Sequence, residues 1–176
     1  RAPATLGDVT GDGVPDAVVV SAGGTLCALE GRTGKPLWNV PGGSAVWGRP
    51  AIVPGPAGKT WIVAPMGGAG VVAFDASGAV CWQALARRPV ITSPVVCDLE
   101  GDGRREVVVL TAEGSLVVLD FETGATLWDL PAAGKGAVGD PAVADLDADG
   151  IQDIVVCDAD RTLQAISGRP ILAARR

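Results

Sequence analysis

Histidine and tyrosine are absent from the 176-residue chain, methionine occurs once and phenylalanine twice. Without histidine, the commonest general base and the commonest nitrogen ligand for metals are both missing. No serine lies in a nucleophile elbow, so acid–base work would fall to carboxylates. No stretch stays apolar for 18 residues, which predicts no helical membrane span. The four cysteines, Cys27, Cys81, Cys97 and Cys157, lack metal-ligand spacing. Each replaces an apolar residue at a strand position, which predicts buried free thiols, with disulfides as the alternative. The chain opens without methionine or a signal peptide, which reads as a processed product or a piece of a larger protein.

Glycine (25) and proline (13) are plentiful instead, a composition that suits short strands and tight turns better than long helices. Runs such as Val107-Val108-Val109-Leu110 and Ile154-Val155-Val156-Cys157 are β-branched and bounded by turn residues, so they read as strands. The net charge of −6 argues against nucleic acid or an anionic membrane as partner. Of the 20 acidic residues, 11 fall in three short stretches, so the acidity belongs to particular loops.

Those stretches mark an internal repeat. "PAVADLDADGIQDIVVCDADRTLQAI" (141–166) aligns without a gap on "PVVCDLEGDGRREVVVLTAEGSLVVL" (94–119), and "PATLGDVTGDGVPDAVVVSAGGTLCAL" (3–29) aligns on both after one insertion. A fourth stretch (50–74) keeps the strand pattern without the acids. The opening prolines Pro3, Pro50, Pro94 and Pro141 lie 47, 44 and 47 residues apart. A second piece closes three units: "ALEGRTGKPLW" (28–38), "AFDASGAVCW" (73–82) and "VLDFETGATLW" (118–128). Four strands in about 45 residues, repeated, predict an all-β chain: a β-propeller of four blades, each a four-stranded antiparallel sheet. The blades run over residues 1–47, 48–92, 93–138 and 139–176 within a single propeller or half-propeller domain.

Each acidic loop has oxygens at positions 1, 3, 5 and 9, glycine at position 6, and a backbone carbonyl available at position 7. Hard oxygen ligands on a flexible loop favour Ca²⁺, which takes six to eight of them. Three sites follow. The first uses Asp8, Thr10, Asp12, Asp16 and the Val14 carbonyl; the second Asp98, Glu100, Asp102, Glu106 and the Arg104 carbonyl. The third uses Asp145, Asp147, Asp149, Asp153 and the Ile151 carbonyl. An EF-hand would need glutamate at position 12, where Val19, Val109 and Val156 stand inside strand runs. Metal-free Asp-rich turns are the competing reading.

The acidic loops resemble those of FG-GAP/VCBS blades in integrin-α-like propellers. The closing pieces, above all "ALEGRTGKPLW", resemble the Trp-docking motif of PQQ-like propeller repeats. The resemblance implies that Trp38, Trp82 and Trp128 pack between blades, buried at equivalent places, with Trp47 and Trp61 outside the motif. It also implies Ca²⁺ bracing the loops, and ring closure with about seven or eight blades. Four blades would then make half a ring, completed by a second copy or by further blades, unless four close on themselves.

"GPAGKT" (55–60) imitates a phosphate loop but lacks its first glycine and is followed by a strand-forming run, which predicts a metal-free turn. The resulting expectation is a non-enzymatic Ca²⁺-binding scaffold with a protein or glycan partner in an extracytoplasmic setting. The enzymatic alternative is a fragment of a PQQ-dependent dehydrogenase.

Overall fold

The computed structural model describes residues 4–21, 23–42, 48–131, 139–157, 159 and 162–169. Four antiparallel meanders follow one another along the chain. The first joins β1 (Thr5–Gly7), β2 (Asp16–Val20), β3 (Leu26–Leu29) and β4 (Pro36–Val40). The second joins β5 (Ala51–Pro54), β6 (Thr60–Pro65), β7 (Val71–Asp75) and β8 (Val80–Ala84). The third joins β9 (Val95–Cys97), β10 (Glu106–Leu110), β11 (Ser115–Asp120) and β12 (Thr126–Pro131). The last contains β13 (Ala142–Ala144), β14 (Asp153–Cys157) and β15 (Leu163–Ser167). A fourth strand there would fall beyond Arg169, outside the described residues, as does Trp47. "GPAGKT" forms a single 3-10 turn at Pro56–Gly58 that runs straight into β6.

The chain divides into two compact units, residues 1–94 and 95–176, each carrying two sheets. In the first unit, side chains alternate across the pleat, and one face of blade 1 (Val18, Val20, Leu26, Ala28) meets one face of blade 2 (Ile62, Ala64, Val72, Phe74) in a single core. The second unit repeats the arrangement. Val108, Leu110, Leu116 and Val118 of blade 3 pack with Ile154 and Val156 of blade 4.

The closing pieces fall into one register. Trp38 pairs with Ala28, Trp82 with Ala73 and Trp128 with Val118, and in each blade the ladder shifts immediately after that pair. The residue missing from the second piece is absorbed in its turn. Glu30 and Asp120 donate their N–H groups to the carbonyls of Lys35 and Ala125, five residues on, whereas Asp75 donates to Ala79, four residues on. Trp82 therefore keeps its place. Trp38 docks on the next blade: its indole N–H donates to the Ala76 carbonyl at 2.8 Å. Its ring lies where any side chain at Gly78 would intrude, since a Cβ there would come within 2.8 Å of it.

Two expectations need correction. Of the three motif tryptophans only Trp82 is buried; Trp38 and Trp128 are half-buried although all three sit on outermost strands at the same ladder position, because burial there depends on what covers the strand. The cysteines are free but not buried. Cys81 is exposed and Cys27, Cys97 and Cys157 are half-buried, because each lies on a sheet face that is incompletely covered.

Gly78→Ala tests the docking. It forces a side chain into the Trp38 ring at a backbone φ of +83°. It is expected to destabilise the chain about as much as Trp38→Ala, roughly 3 kcal/mol, with the double variant well short of the sum. Urea denaturation of the three variants measures this, and full additivity would show that the two residues act independently.

Candidate metal centre in the acidic loops

Each acidic loop connects the first two strands of its blade, and the same hydrogen bonds shape all three. The position-1 aspartate folds the loop around itself. Asp8 accepts the N–H groups of Gly11, Asp12 and Gly13 at 2.7–3.1 Å. Asp98 accepts those of Asp102 and Gly103, and Asp145 those of Asp149 and Gly150. The position-5 aspartate then takes the N–H two residues on: Val14, Arg104 and Ile151 donate to Asp12, Asp102 and Asp149, each at 2.8 Å. The backbone has positive φ at positions 4 and 6. Glycine fills position 6 in every loop (Gly13, Gly103, Gly150), but position 4 is Gly11, Gly101 and then Ala148 at φ +61°.

The position-9 carboxylates lie beneath the loops. Asp16, Glu106 and Asp153 are all buried. Asp16 accepts from Val9 (3.0 Å), Thr10 (2.9 Å) and Gly31 (2.8 Å), Glu106 from Leu99 (2.8 Å) and Asp153 from Leu146 (3.1 Å). They tie the start of the loop to the second strand. Burial alone would raise the Asp16 pKa, but the N–H groups of Gly31, Thr10 and Val9 hold it below the ordinary 3.8.

The structure gathers Asp145, Asp147 and Asp149, whose ligand oxygens lie within 4.8 Å of one another. Among the described residues no second group of three acids converges in this way. In the first loop Thr10 takes the place of the middle carboxylate.

The sequence reading missed two cations. Arg32 Nε donates to Asp12 at 2.7 Å, and Arg169 Nε donates to Asp149 at 2.7 Å, with a second contact from its Nη2. Both arginines stand 20 residues after the carboxylate they meet, in the Gly-Arg pairs of "EGRTG" and "SGRP"; that recurrence was the available signal. Arg32, and then the Val14 N–H, lower the Asp12 pKa; for Asp149 the Ile151 N–H leads and Arg169 adds to it. In the third blade Glu122 occupies the corresponding position. A cleft of 280 Å³ opens beside it, lined by Arg104, Arg105, Asp120 and Thr123, with the Arg105 guanidinium 4.3 Å above the Phe121 ring.

The donor chemistry fits a hard divalent cation best in the last loop, where three carboxylates converge. The same residues close the loops by hydrogen bonding alone.

Comparisons with known proteins bear on the fold. The family model described as outer membrane protein assembly factor BamB matches residues 4–93, 24–139 and 67–170. Among solved structures, BamB from Moraxella catarrhalis superposes with a TM-score of 0.64 at 17% identity, over 94% of this chain and 45% of that one. Saccharomyces cerevisiae Sqt1 gives 0.69 at 12% identity, over 93% and 44%. A europium-containing methanol dehydrogenase gives 0.63 at 18% identity, over 89% and 39%. The chain thus spans less than half the length of these proteins. No curated protein sequence matches it. The four meanders are blades of β-propeller type.

Asp16 is held below its unfolded pKa, so its contribution is complete above about pH 4 and is lost as pH falls through the lowered folded value. Asp16→Asn should flatten the fall in denaturation midpoint on acidification. At neutral pH it should cost about 1–3 kcal/mol, because the carboxamide keeps one acceptor oxygen and turns its NH₂ toward the N–H groups that the other oxygen served, either Gly31 or Val9 and Thr10. Ala148→Gly relieves a left-handed alanine and should stabilise by up to about 1 kcal/mol; a loss of stability in thermal melts would contradict that account.

Proposed function

Because the chain belongs to the PQQ-like repeat family described as outer membrane protein assembly factor BamB, we propose that it is a non-enzymatic propeller scaffold that binds a protein partner and is braced by Ca²⁺. The observation that carries the cation reading is the convergence of Asp145, Asp147 and Asp149. Asp8, Thr10 and Asp12, and Asp98, Glu100 and Asp102, are the corresponding sets in blades 1 and 3, with the carbonyls of Val14, Arg104 and Ile151 as further donors. The position-9 acids Asp16, Glu106 and Asp153 support each loop from below. In this respect the loops are of FG-GAP/VCBS type set on PQQ-like blades.

A guanidinium on the position-5 carboxylate offsets part of the like-charge repulsion in blades 1 and 4. Ca²⁺ competes with it for the same oxygen. Extracytoplasmic millimolar Ca²⁺ suits loops of this charge, and the family description is that of an outer membrane protein assembly factor. The protein partner is favoured over a glycan because the same description is that of an assembly factor.

A second reading, a quinoprotein fragment, draws on the likeness to a methanol dehydrogenase, which at 18% identity concerns the fold alone. Incubation with pyrroloquinoline quinone and Ca²⁺ followed by gel filtration separates the two. Stoichiometric retention of the quinone absorbance would favour the enzyme.

Thermal melts in EGTA against Ca²⁺ test the cation reading. Saturation at 100 times Kd should add about 2.7 kcal/mol per independent site, and Asp147→Asn should remove the blade 4 contribution alone. An unchanged midpoint in the parent chain would refute the reading.

A further inference from the structure

We propose that the cleft between the acidic loop and the closing turn of blade 3 binds a partner polypeptide segment in which an acidic and a basic side chain stand next to each other. The inference rests on the scaffold reading above and gives its protein partner a contact chemistry.

The internal repeat shows how the cleft arises. The turn after the third strand reads "EGRTG" in blade 1, "SGRP" in blade 4 and "DFETG" in blade 3. Gly31 and Gly168 lie close against the backbone of their loops. A Cβ would fall 1.9 Å from the Pro15 carbonyl oxygen at the first and 2.6 Å from that of Gln152 at the second. The next residue in both blades is the arginine that bridges turn and loop to the position-5 carboxylate. Blade 3 departs from this pattern at four positions together. Phe121 replaces the glycine, so the turn cannot lie over Arg105 in the same orientation, although the Phe121 N–H still donates to the Arg105 carbonyl at 3.0 Å. Glu122 replaces the bridging arginine. Arg104 and Arg105 stand at the loop positions that hold Val14 and Pro15 in blade 1, and Ile151 and Gln152 in blade 4. The 280 Å³ cleft opens among these four residues.

The Phe121 ring is 1% exposed, and the Arg105 guanidinium over it is held by cation–π attraction. Arg104 lines the cleft from the loop and Glu122 from the turn. Both are exposed, and neither side chain has a hydrogen bond or ion pair to a described residue. Asp120 is different, because its Oδ1 already accepts from the Glu122 N–H, the Thr123 N–H and the Thr123 hydroxyl at 2.7–3.1 Å. The cleft therefore offers an uncommitted guanidinium and an uncommitted carboxylate. A simple anion drawn to Arg104 would also meet Glu122 and the carboxylates of the adjoining loop, and a simple cation would meet two arginines. A ligand carrying both signs pairs with both walls, and its carboxylate can engage the guanidinium through two hydrogen bonds.

NMR spectra of the isotope-labelled 176-residue chain, titrated at low ionic strength with acetyl-Ala-Glu-Lys-Ala-amide, should show saturable shifts of the Arg104 and Arg105 Nε–H signals. Replacing either the Glu or the Lys of the peptide by Gln should weaken binding roughly five-fold. Arg104→Glu and Glu122→Lys, both at exposed sites, should each weaken it about ten-fold with unchanged far-UV circular dichroism. Arg104→Glu leaves the backbone carbonyl of the cation reading in place. Phe121→Gly combined with Glu122→Arg restores the turn of blade 1 and should abolish binding. No saturable shift in the parent chain would overturn the proposal, as would equal binding of a singly charged peptide or full binding by Arg104→Glu. None of these results bears on the quinone-retention test, so the cleft can fail while the scaffold reading stands.

Discussion

A β-sheet that is apolar on both faces cannot stay in water, and every blade of this chain is such a sheet. Its strands alternate between two sets of side chains, and both sets are mostly valine, leucine, isoleucine and alanine. One neighbour covers one set only. Stability therefore depends on sheets stacking in series, each burying a face that the meander itself leaves open. Much of the rest of the architecture serves that stacking. Trp38 reaches across to the Ala76 carbonyl, Thr60 donates its hydroxyl to the Asp8 carbonyl at 3.1 Å, and the Gln152 N–H donates to the Leu99 carbonyl at 2.9 Å. These polar ties lie at the margins of the apolar contacts and set how one blade meets the next.

The acidic loops meet a different constraint. Pulling a strand reversal into nine residues leaves several N–H groups without ladder partners, and a carboxylate accepts two or three of them at once. A carboxylate at positions 1, 5 and 9 answers that need before any cation is considered: Asp8 and Asp16 each take three N–H groups. The cost is like charge at close range, and Arg32 and Arg169 reduce it from outside the loop. The guanidinium of each pair is largely solvent-exposed, so the pairs shape the loops more than they stabilise the fold. Hydrogen bonding and charge together explain why blade 2 dispenses with the acids. Its turn is closed by Gly55 and Lys59, whose backbones pair at 2.5 Å, and needs no carboxylate.

How far the sequence disclosed this depends on the range of the interaction. Strand identity and register were legible because they follow from local alternation and from a repeat that shows each position several times. The shift beside each tryptophan follows from the same repetition. Burial was less legible: Trp38 and Trp82 occupy the same ladder position, yet only the latter is buried, because burial depends on what lies over the strand. On spacing alone the position-9 carboxylates are candidate ligands. Their spacing is equally that of a side chain folding under a turn, and the structure shows Asp16 committed to backbone N–H groups. Arg32 and Arg169 escaped notice because a charge 20 residues away is remote along the chain and adjacent only after the third strand returns to the loop.

The same logic explains why equivalent positions of the repeat differ in exposure. In a serial stack, a position's exposure reports whether a neighbour is present, not what the residue prefers. Leu163 and Leu26 are the same residue in the same register, one exposed and the other buried. The repeat carries one apolar composition through surroundings that differ from blade to blade, so the same side chain is core in one sheet and surface in another.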